Sequence, residues 1–144
     1  MKREILFLGK RTDNGEWAEG ELIHAVPSGI PGIRIPSRTA LLIYSVIPET
    51  VGQFTGLTDK NGKRIFEGYI ICYITPDGIK ATGVVRFGEY GTGGTIGIGF
   101  YVEWVARDGA GWLRQDIGFW AKYRDIEVIG NIHDNPELLN GTEP

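Results

Sequence analysis

Short apolar runs separated by turn residues begin near the start of the chain. Ile5 and Phe7 lie at alternating positions, and Asp13, Asn14 and Gly15 follow before a second apolar run. Alternation with a period of two is typical of a strand, and Asn-Gly accepts the positive φ angles of a type I′ turn. The pattern predicts a β-hairpin over residues 3–24.

Proline is dense in residues 26–36, which contain Pro27, Pro31 and Pro36. Because proline lacks a backbone N–H, this spacing favours an ordered loop or an extended arm over a helix or a central strand. The predicted arm has three apolar anchors, Ile30, Ile33 and Ile35. The nearly continuous apolar run at residues 41–47 then predicts a strand that is buried on both faces.

Two turns and a β-hairpin are predicted between residues 54 and 87. The run Asp59-Lys60-Asn61-Gly62 indicates a turn, because Asn61 and Gly62 can take left-handed conformations, and Glu67-Gly68 indicates a second bend. Apolar residues 69–73 predict a strand. A turn at Pro76-Asp77-Gly78 connects it to a return strand at residues 81–87.

Glycine recurs through residues 88–99, first as a predicted loop and then in alternation with apolar residues. Glycine alternation indicates a strand with one bare face lying close to another backbone or to a ligand. We expect this strand to cover residues 96–106.

The C-terminal part combines one ambiguous segment with a last strand and a short helix. Residues 117–124 fit either a strand or a single helical turn, because their apolar spacing does not distinguish the two periods. Residues 126–132 alternate as a strand. Asn135 is a predicted helix N-cap, with Pro136 as the first helical residue and Leu138 packing back on the fold.

The composition supports a mainly β fold of one domain or little more. The 144 residues include 22 Gly, 4 Trp, 6 Tyr and 6 Phe, which is typical of short strands joined by tight turns. A hydrophobic fraction of 42% is ordinary for a globular protein that is not membrane-embedded. The net charge of −3 argues against binding to nucleic acid by bulk electrostatics. We expect a cytoplasmic protein, because no signal peptide and no run of about twenty apolar residues is found.

Known catalytic and cofactor motifs do not fit the chain. Cys72, His24 and His133 are too few and too widely spaced for a structural zinc site, and Cys72 lies in an apolar run typical of a buried thiol. The glycine-rich segment lacks the Lys-Ser/Thr pair and the following helix of a phosphate-binding loop. We therefore predict no cofactor, no metal site and no identifiable catalytic residue.

One set of basic and aromatic residues is the candidate partner-binding surface. Basic residues interleaved with aromatic side chains are how barrel folds hold single-stranded nucleic acid. The alternative is that three basic residues on a turn are only solvated. The set consists of Lys60, Lys63, Arg64, Phe66, Tyr69 and Tyr73.

Two blocks carry a resemblance to a known family. Residues 53–71 read Gln-Phe-Thr-Gly-Leu-Thr-Asp-Lys-Asn-Gly-Lys-Arg-Ile-Phe-Glu-Gly-Tyr-Ile-Ile, and residues 126–139 read Ile-Glu-Val-Ile-Gly-Asn-Ile-His-Asp-Asn-Pro-Glu-Leu-Leu. Both blocks resemble signatures of the YopX family, which occurs in phages and prophages of bacteria. Tyr69 departs from the family pattern, which usually has Asp there, so any catalytic or metal-binding role of that Asp would be lost.

The resemblance implies a mainly β protein that contains an SH3-like barrel, with no established activity. Combined with the strand pattern, it predicts an all-β fold in which a small, partly open SH3-like barrel occupies residues 49–144 and ends in a short helical turn. Residues 1–48 would add a β-hairpin, the arm and one strand, either as part of the same unit or as a separate sheet.

Three functions remain open from the sequence. The first is a non-enzymatic phage accessory protein in the host bacterial cytosol, which binds a host or phage macromolecule and self-associates. The second is a nucleic-acid-binding module that uses the turn at residues 60–64. The third is a hydrolase or nuclease whose site the sequence does not reveal, and it requires carboxylates or a histidine to converge in one cleft.

Overall fold

The computed structural model describes residues 5–24, 30–35, 42–91, 96–105 and 113–139. The chain forms two compact units, Met1–Gly56 and Leu57–Pro144. The predicted division into residues 1–48 and 49–144 concerns folding domains and stays a prediction.

The described residues of the first unit form antiparallel strands and one short 3₁₀-helix. Its elements are β1 (Phe7–Lys10), β2 (Trp17–Ile23), β3 (Gly32–Ile35), β4 (Leu42–Ser45), a 3₁₀-helix (Pro48–Thr50) and β5 (Gly52–Thr58), which continues past the end of the unit. The strands pair in the order β4-β3-β2-β1-β5. The buried side chains of Ala18, Ile33 and Val46 form its core cluster.

The predicted N-terminal hairpin is confirmed, but its turn is not type I′. β1 and β2 pair with Leu8 opposite Glu19, and the N–H of Arg11 donates to the carbonyl of Glu16 over 2.8 Å. Gly15 has a φ of 73°, but Asn14 has a negative φ, because every described residue with a positive φ is a glycine. Asn14 therefore does not take the conformation that a type I′ turn requires, and the loop is longer than two residues.

The expectation of a loop or arm without a central strand at residues 26–36 is wrong for its C-terminal part. β3 pairs with β2 on one side and with β4 on the other, and Ile33 is completely buried. Pro31 and Pro36 flank these four residues instead of interrupting them, so every residue of β3 keeps its N–H for pairing. Residues 25–29 and 36–41 lie outside the described residues.

The strand predicted at residues 41–47 exists, but it is not buried on both faces. β4 ends the strand order of the sheet, and the side chains of Leu42 and Ile43 are exposed. Val46, just after the strand, is fully buried. An edge strand with an apolar sequence reads like a central strand, because the sequence does not show how many neighbours a strand has.

The second unit contains a five-stranded antiparallel sheet, a short helix and a C-terminal 3₁₀-helix. Its elements are β6 (Arg64–Phe66), β7 (Tyr69–Ile74), β8 (Lys80–Tyr90), β9 (Gly97–Trp104), β10 (Leu113–Asp116), α1 (Ile117–Tyr123), β11 (Glu127–Asn131) and a 3₁₀-helix (Pro136–Leu139). The sheet runs in the order β10-β9-β8-β7-β11 and is not closed in the described residues, as expected of a partly open barrel. β6 pairs with the end of β5.

One core cluster of the second unit lies on one face of this sheet. Val85 and Val102 are directly opposite each other on β8 and β9, and both are fully buried. The other buried members of the cluster are Ile65, Ile71, Trp104, Ile117 and Ile126. Ile70 and Val84, which pair on the opposite face, are also fully buried.

The ambiguous segment at residues 117–124 is the helix α1. Asp116 begins it, because its side chain accepts a hydrogen bond from the N–H of Phe119 over 3.3 Å. Ile117 is buried in the core cluster, and Trp120 packs against that cluster. The mainly β class, the N-terminal hairpin and the C-terminal helical turn are confirmed.

Candidate partner-binding surface

Asp59 determines the geometry of the turn that was expected to bind a partner. Its carboxylate accepts hydrogen bonds from the N–H groups of Asn61, Lys63 and Val128, over 2.9, 2.9 and 3.0 Å. The side chain is buried, and burial alone would raise its pKa; the three N–H donors and the charge of Lys63 outweigh burial and lower the pKa below its ordinary value. The carboxylate therefore holds the turn against β11.

The three basic residues of the candidate set lie on this turn and point outward. Lys60 is exposed and its Nζ lies 3.6 Å from Glu127 Oε1, so its charge is balanced. Lys63 lies over the ring of Tyr69, with 5.7 Å between Nζ and the ring centroid. Arg64 is exposed at the start of β6. The structure thus brings Lys63 and Tyr69 together.

The aromatic residues of the set lie mainly inward. Phe66 is 1% exposed, so its ring cannot stack on a ligand base. Tyr69 is half-buried, 5.6 Å from the ring of Phe66. Tyr73 is half-buried and packs edge-on against Trp120, at 5.2 Å between ring centroids. The structure does not present the six residues as one continuous basic-aromatic surface.

The side chains suited to catalysis have structural surroundings where the structure describes them. Burial is the main cause of the raised pKa of the Cys72 thiol, which lowers its thiolate fraction. Asp13 accepts two hydrogen bonds from Arg11, which lower the pKa of that carboxyl. Among the described residues, no three His, Cys, Asp or Glu side chains lie close enough to share a metal ion.

A different surface is formed where β8 and β9 extend beyond their neighbours. β7 pairs with β8 only as far as Val84, and β10 pairs with β9 only as far as Tyr101. The two strands continue together to the pair Tyr90 and Gly97. We call residues 86–90 of β8 and 97–100 of β9 the ribbon.

One face of the ribbon carries apolar side chains together with Glu89, and it continues the core face of the sheet. Phe87 is opposite Phe100, two residues beyond the buried pair Val85 and Val102, and their rings meet edge-on at 5.0 Å. Exposure rises along this face, from complete burial at the valines to 54% at Phe87 and 72% at Ile98. Ile96, two residues before Ile98 and 73% exposed, continues the alternation. We call Phe87, Ile96, Ile98 and Phe100 the ribbon face.

The opposite face of the ribbon is polar and tied to the rest of the unit. Tyr90 packs over Gly97 and donates a hydrogen bond to Asp116 Oδ1 over 2.9 Å. This hydrogen bond, burial and the charge of the carboxylate raise the pKa of Tyr90. Arg114 Nη1 donates to the carbonyl of Glu89 over 3.3 Å. The glycine face predicted to lie close to another group is therefore covered by the ring of Tyr90.

The sequence interpretation missed the ribbon face, although a signal for it was present. Ile96, Ile98 and Phe100 alternate with glycines, so all three apolar side chains share one face of the strand. Whether that face is covered depends on where β7 and β10 end, which periodicity does not report.

Comparison with known proteins places the chain in a family. The family model described as YopX protein matches residues 33–140, three quarters of the chain. The chain belongs to the YopX family. The resemblance identified from residues 53–71 and 126–139 is therefore confirmed.

A solved structure supports the fold assignment of this YopX chain. The chain is similar to protein EF1440 from Enterococcus faecalis, with a TM-score of 0.52 and 25% sequence identity over 96% of this chain and 100% of that one. A comparison with curated proteins finds no match. Within the residues that the structure describes, no helix has the length and apolar character to cross a membrane.

The YopX signature residues have identifiable structural roles in this chain. Asp59 anchors the first block to Val128 of the second block. Gly68 has a φ of 92°, and its carbonyl accepts a hydrogen bond from the N–H of Ile132 over 2.9 Å. Asn135 accepts one from the N–H of Asn131 over 3.2 Å and closes the turn before the 3₁₀-helix. Tyr69 packs against the core cluster.

Proposed function

We propose that this protein is a non-enzymatic accessory protein of a phage or prophage, which acts in the bacterial cytosol by binding a host or phage protein through the ribbon face. The supporting observation is the continuity of the core face with exposed side chains. Val85 and Val102 are fully buried, whereas Phe87 and Ile98 on the same face are more than half exposed. A partner that covers this face would extend the existing core.

The energetics of the ribbon face favour a binding role. Removing apolar surface from water lowers the free energy by about 25 cal/mol per Å², so a partner that covers this surface is bound more tightly. Exposed patches of a few hundred Å² often mark interaction sites. The polar contacts of Tyr90 and Arg114 on the opposite face hold the strands in place, which lowers the entropy lost on binding.

The non-enzymatic part of the proposal is supported by the structural partners of two carboxylates whose pKa is lowered. Asp59 is engaged by three backbone donors of its own fold, and Asp13 is paired with Arg11. Structural networks of this kind perturb pKa values without catalysis.

The test is affinity capture from infected or lysogenic cells with three forms of the tagged protein. Wild type is compared with Ile98→Lys and with the matched control Ile74→Lys, because Ile74 is an exposed isoleucine at the end of β7. We expect a specific protein that wild type and Ile74→Lys retain and Ile98→Lys loses. Equal recovery with all three forms would reject the ribbon face as the contact surface.

A nucleic-acid-binding role is the second candidate, and the exposed Lys63 and Arg64 beside Tyr69 favour it. It predicts that recovery of the partner disappears after nuclease treatment of the lysate. It also predicts that Lys63→Glu together with Arg64→Glu abolishes binding to single-stranded nucleic acid, and that wild-type binding weakens steeply with salt. Binding that survives the double substitution would exclude this turn.

A further inference from the structure

We infer that the partner binds the ribbon as an extended segment that adds a strand to the free edge of β9 at residues 97–100. This inference rests on the proposed function and specifies the chemistry of the partner. The segment would carry apolar side chains at alternate positions, together with a lysine or arginine that reaches Glu89. Strand addition of this kind uses main-chain hydrogen bonds for affinity and alternate side chains for specificity.

The edge of β9 is available because the neighbouring chain leaves the sheet. The last pair between β10 and β9 joins Asp116 to Tyr101, and α1 begins at Ile117. Residues 97–100 pair with β8 on one side, and no other strand of the described chain pairs with them. Every second residue of such an edge directs its N–H and C=O away from the sheet, where they can bind another strand.

The edge of β8 is engaged just before the ribbon begins, because the N–H of Gly68 donates to the carbonyl of Val85 over 2.8 Å. β9 lies near α1, but its residues 97–100 pair with no strand of the described chain on the side away from β8. We therefore place the added strand on β9. The side chains it places beside Ile98 and Phe100 would lie on the ribbon face and widen the apolar stripe.

The charge next to this edge defines the polar part of the partner. Glu89 is exposed and directly opposite Ile98, so its carboxylate lies on the ribbon face. Neighbouring strands are about 5 Å apart, and a lysine or arginine on the added strand is long enough to reach across Ile98. An acidic side chain at that place would instead meet Glu89 and the net negative charge of the protein.

Size and charge both disfavour a second copy of this chain as the occupant. The ribbon face consists of four side chains, whereas a standard interface uses about 20–30 residues on each partner. Symmetric packing of two ribbon faces would also bring the Glu89 carboxylates of both copies into the same contact. Strand addition supplies backbone hydrogen bonds that such a face-to-face dimer lacks.

The inference is tested by selecting a displayed library of random linear peptides on the immobilised full-length protein, with counter-selection on Ile98→Lys. We expect enriched peptides with alternating apolar residues and at least one basic residue. The best synthetic peptide should bind Ile98→Lys at least about tenfold more weakly than wild type, because an isoleucine that the bound peptide would cover is replaced by a charge. Ile74→Lys should bind as wild type does, and Ile98→Thr provides a milder change at the same position.

Two further measurements distinguish strand addition from other modes of binding. N-methylation of single peptide residues should abolish binding at every second position only, because alternate N–H groups face β9. Glu89→Lys should reverse the charge preference of the selected peptides. Peptides without alternation, or binding that tolerates every N-methyl group, would overturn the inference.

The outcomes also separate this inference from the proposed function. If cellular capture depends on Ile98 but no linear peptide binds, the partner uses a folded surface and only the strand-addition inference fails. A stable dimer at neutral pH that Ile98→Lys dissociates would show that a second copy covers the face, and it would overturn the inference as well. Failure of the capture itself rejects the proposed function.

Discussion

At the scale of single residues, the hydrogen bonds that Asp59 accepts explain why an acidic side chain stands before the turn at residues 60–62. A buried carboxylate is costly unless hydrogen bonds replace its lost hydration. Three backbone N–H groups do so here, and one of them belongs to Val128, 69 residues further along the chain. The same side chain therefore forms a local turn and connects two distant segments of the second unit.

Asp59→Ala should destabilise the protein strongly, because it leaves the N–H groups of Asn61, Lys63 and Val128 without their acceptor. Hydrogen bonds to charged groups contribute about 1.5–3 kcal/mol each. The total loss is smaller than the sum of three such bonds, because water reaches part of this turn after the substitution. We expect the free energy of unfolding to fall by about 3 kcal/mol in urea titrations followed by tryptophan fluorescence. The control is Asp77→Ala, at an exposed turn, and an equally large loss there would contradict this explanation.

The stabilising effect of Asp59 should depend on pH. Its pKa in the folded protein lies below the ordinary value of 3.8, because the backbone donors and Lys63 outweigh the effect of burial. The carboxylate therefore contributes stability above the ordinary pKa, and this contribution is lost as the pH falls through 3.8 toward the lowered value. The difference in unfolding free energy between wild type and Asp59→Asn should be constant from about pH 7 to 5 and shrink below about pH 4. A difference that grows in acid would contradict this pKa direction.

Gly68 is a residue whose backbone conformation excludes most substitutions. Its φ of 92° lies in the region that side chains with a Cβ rarely adopt. Gly68→Ala should lower the free energy of unfolding by about 1–2 kcal/mol through backbone strain. Gly99→Ala is the control, because a Cβ there meets only the Tyr90 ring at an ordinary 3.9 Å. Equal stability of the two variants in urea titrations would rule out strain at Gly68.

At the scale of elements, sequence periodicity predicted the strands that lie between clear turns. The strand at residues 69–74 and its return strand have apolar residues bounded by Pro76-Asp77-Gly78, so local signals were sufficient. β3 was missed because Pro31 precedes it, and whether a proline interrupts or flanks a strand depends on pairing partners. The sequence did not distinguish a strand from a helix at α1. Packing of Ile117 in the core, and not its local spacing, selects the helix.

The candidate site was less predictable than the fold. Lys63 and Arg64 are exposed at the turn, as charged side chains usually are. Phe66 was expected at a surface but is buried, because alternation does not show which face of a strand meets the core. The exposure of Phe87 and Ile98 follows from the unequal lengths of four strands, which is a property of the sheet and not of any segment.

The pairing of β8 and β9 depends on close packing at Gly83. A Cβ at this position would lie 2.5 Å from Val102 Cγ1 and 2.9 Å from Trp104 Cε3. Gly83→Ala should therefore push both side chains out of place and lower the free energy of unfolding by about 1–3 kcal/mol. The measurement is a urea titration, with the near-ultraviolet circular dichroism of the tryptophans as a packing signal. An unchanged spectrum and an unchanged urea midpoint would show that Val102 and Trp104 accommodate the added methyl group without loss of stability.

At the scale of the whole molecule, net charge and the ribbon face together should control non-specific association. The isoelectric point lies near 5.4, so electrostatic repulsion between molecules is weakest there while Ile96 and Ile98 stay exposed. We expect light scattering from wild type to rise as the pH approaches 5.4 and to fall with Ile98→Lys. Ile74→Lys adds the same charge at a similarly exposed isoleucine and so measures the effect of charge alone. A larger fall with Ile98→Lys would assign the association to the ribbon face, whereas equal falls would assign it to net charge and remove the face as its cause.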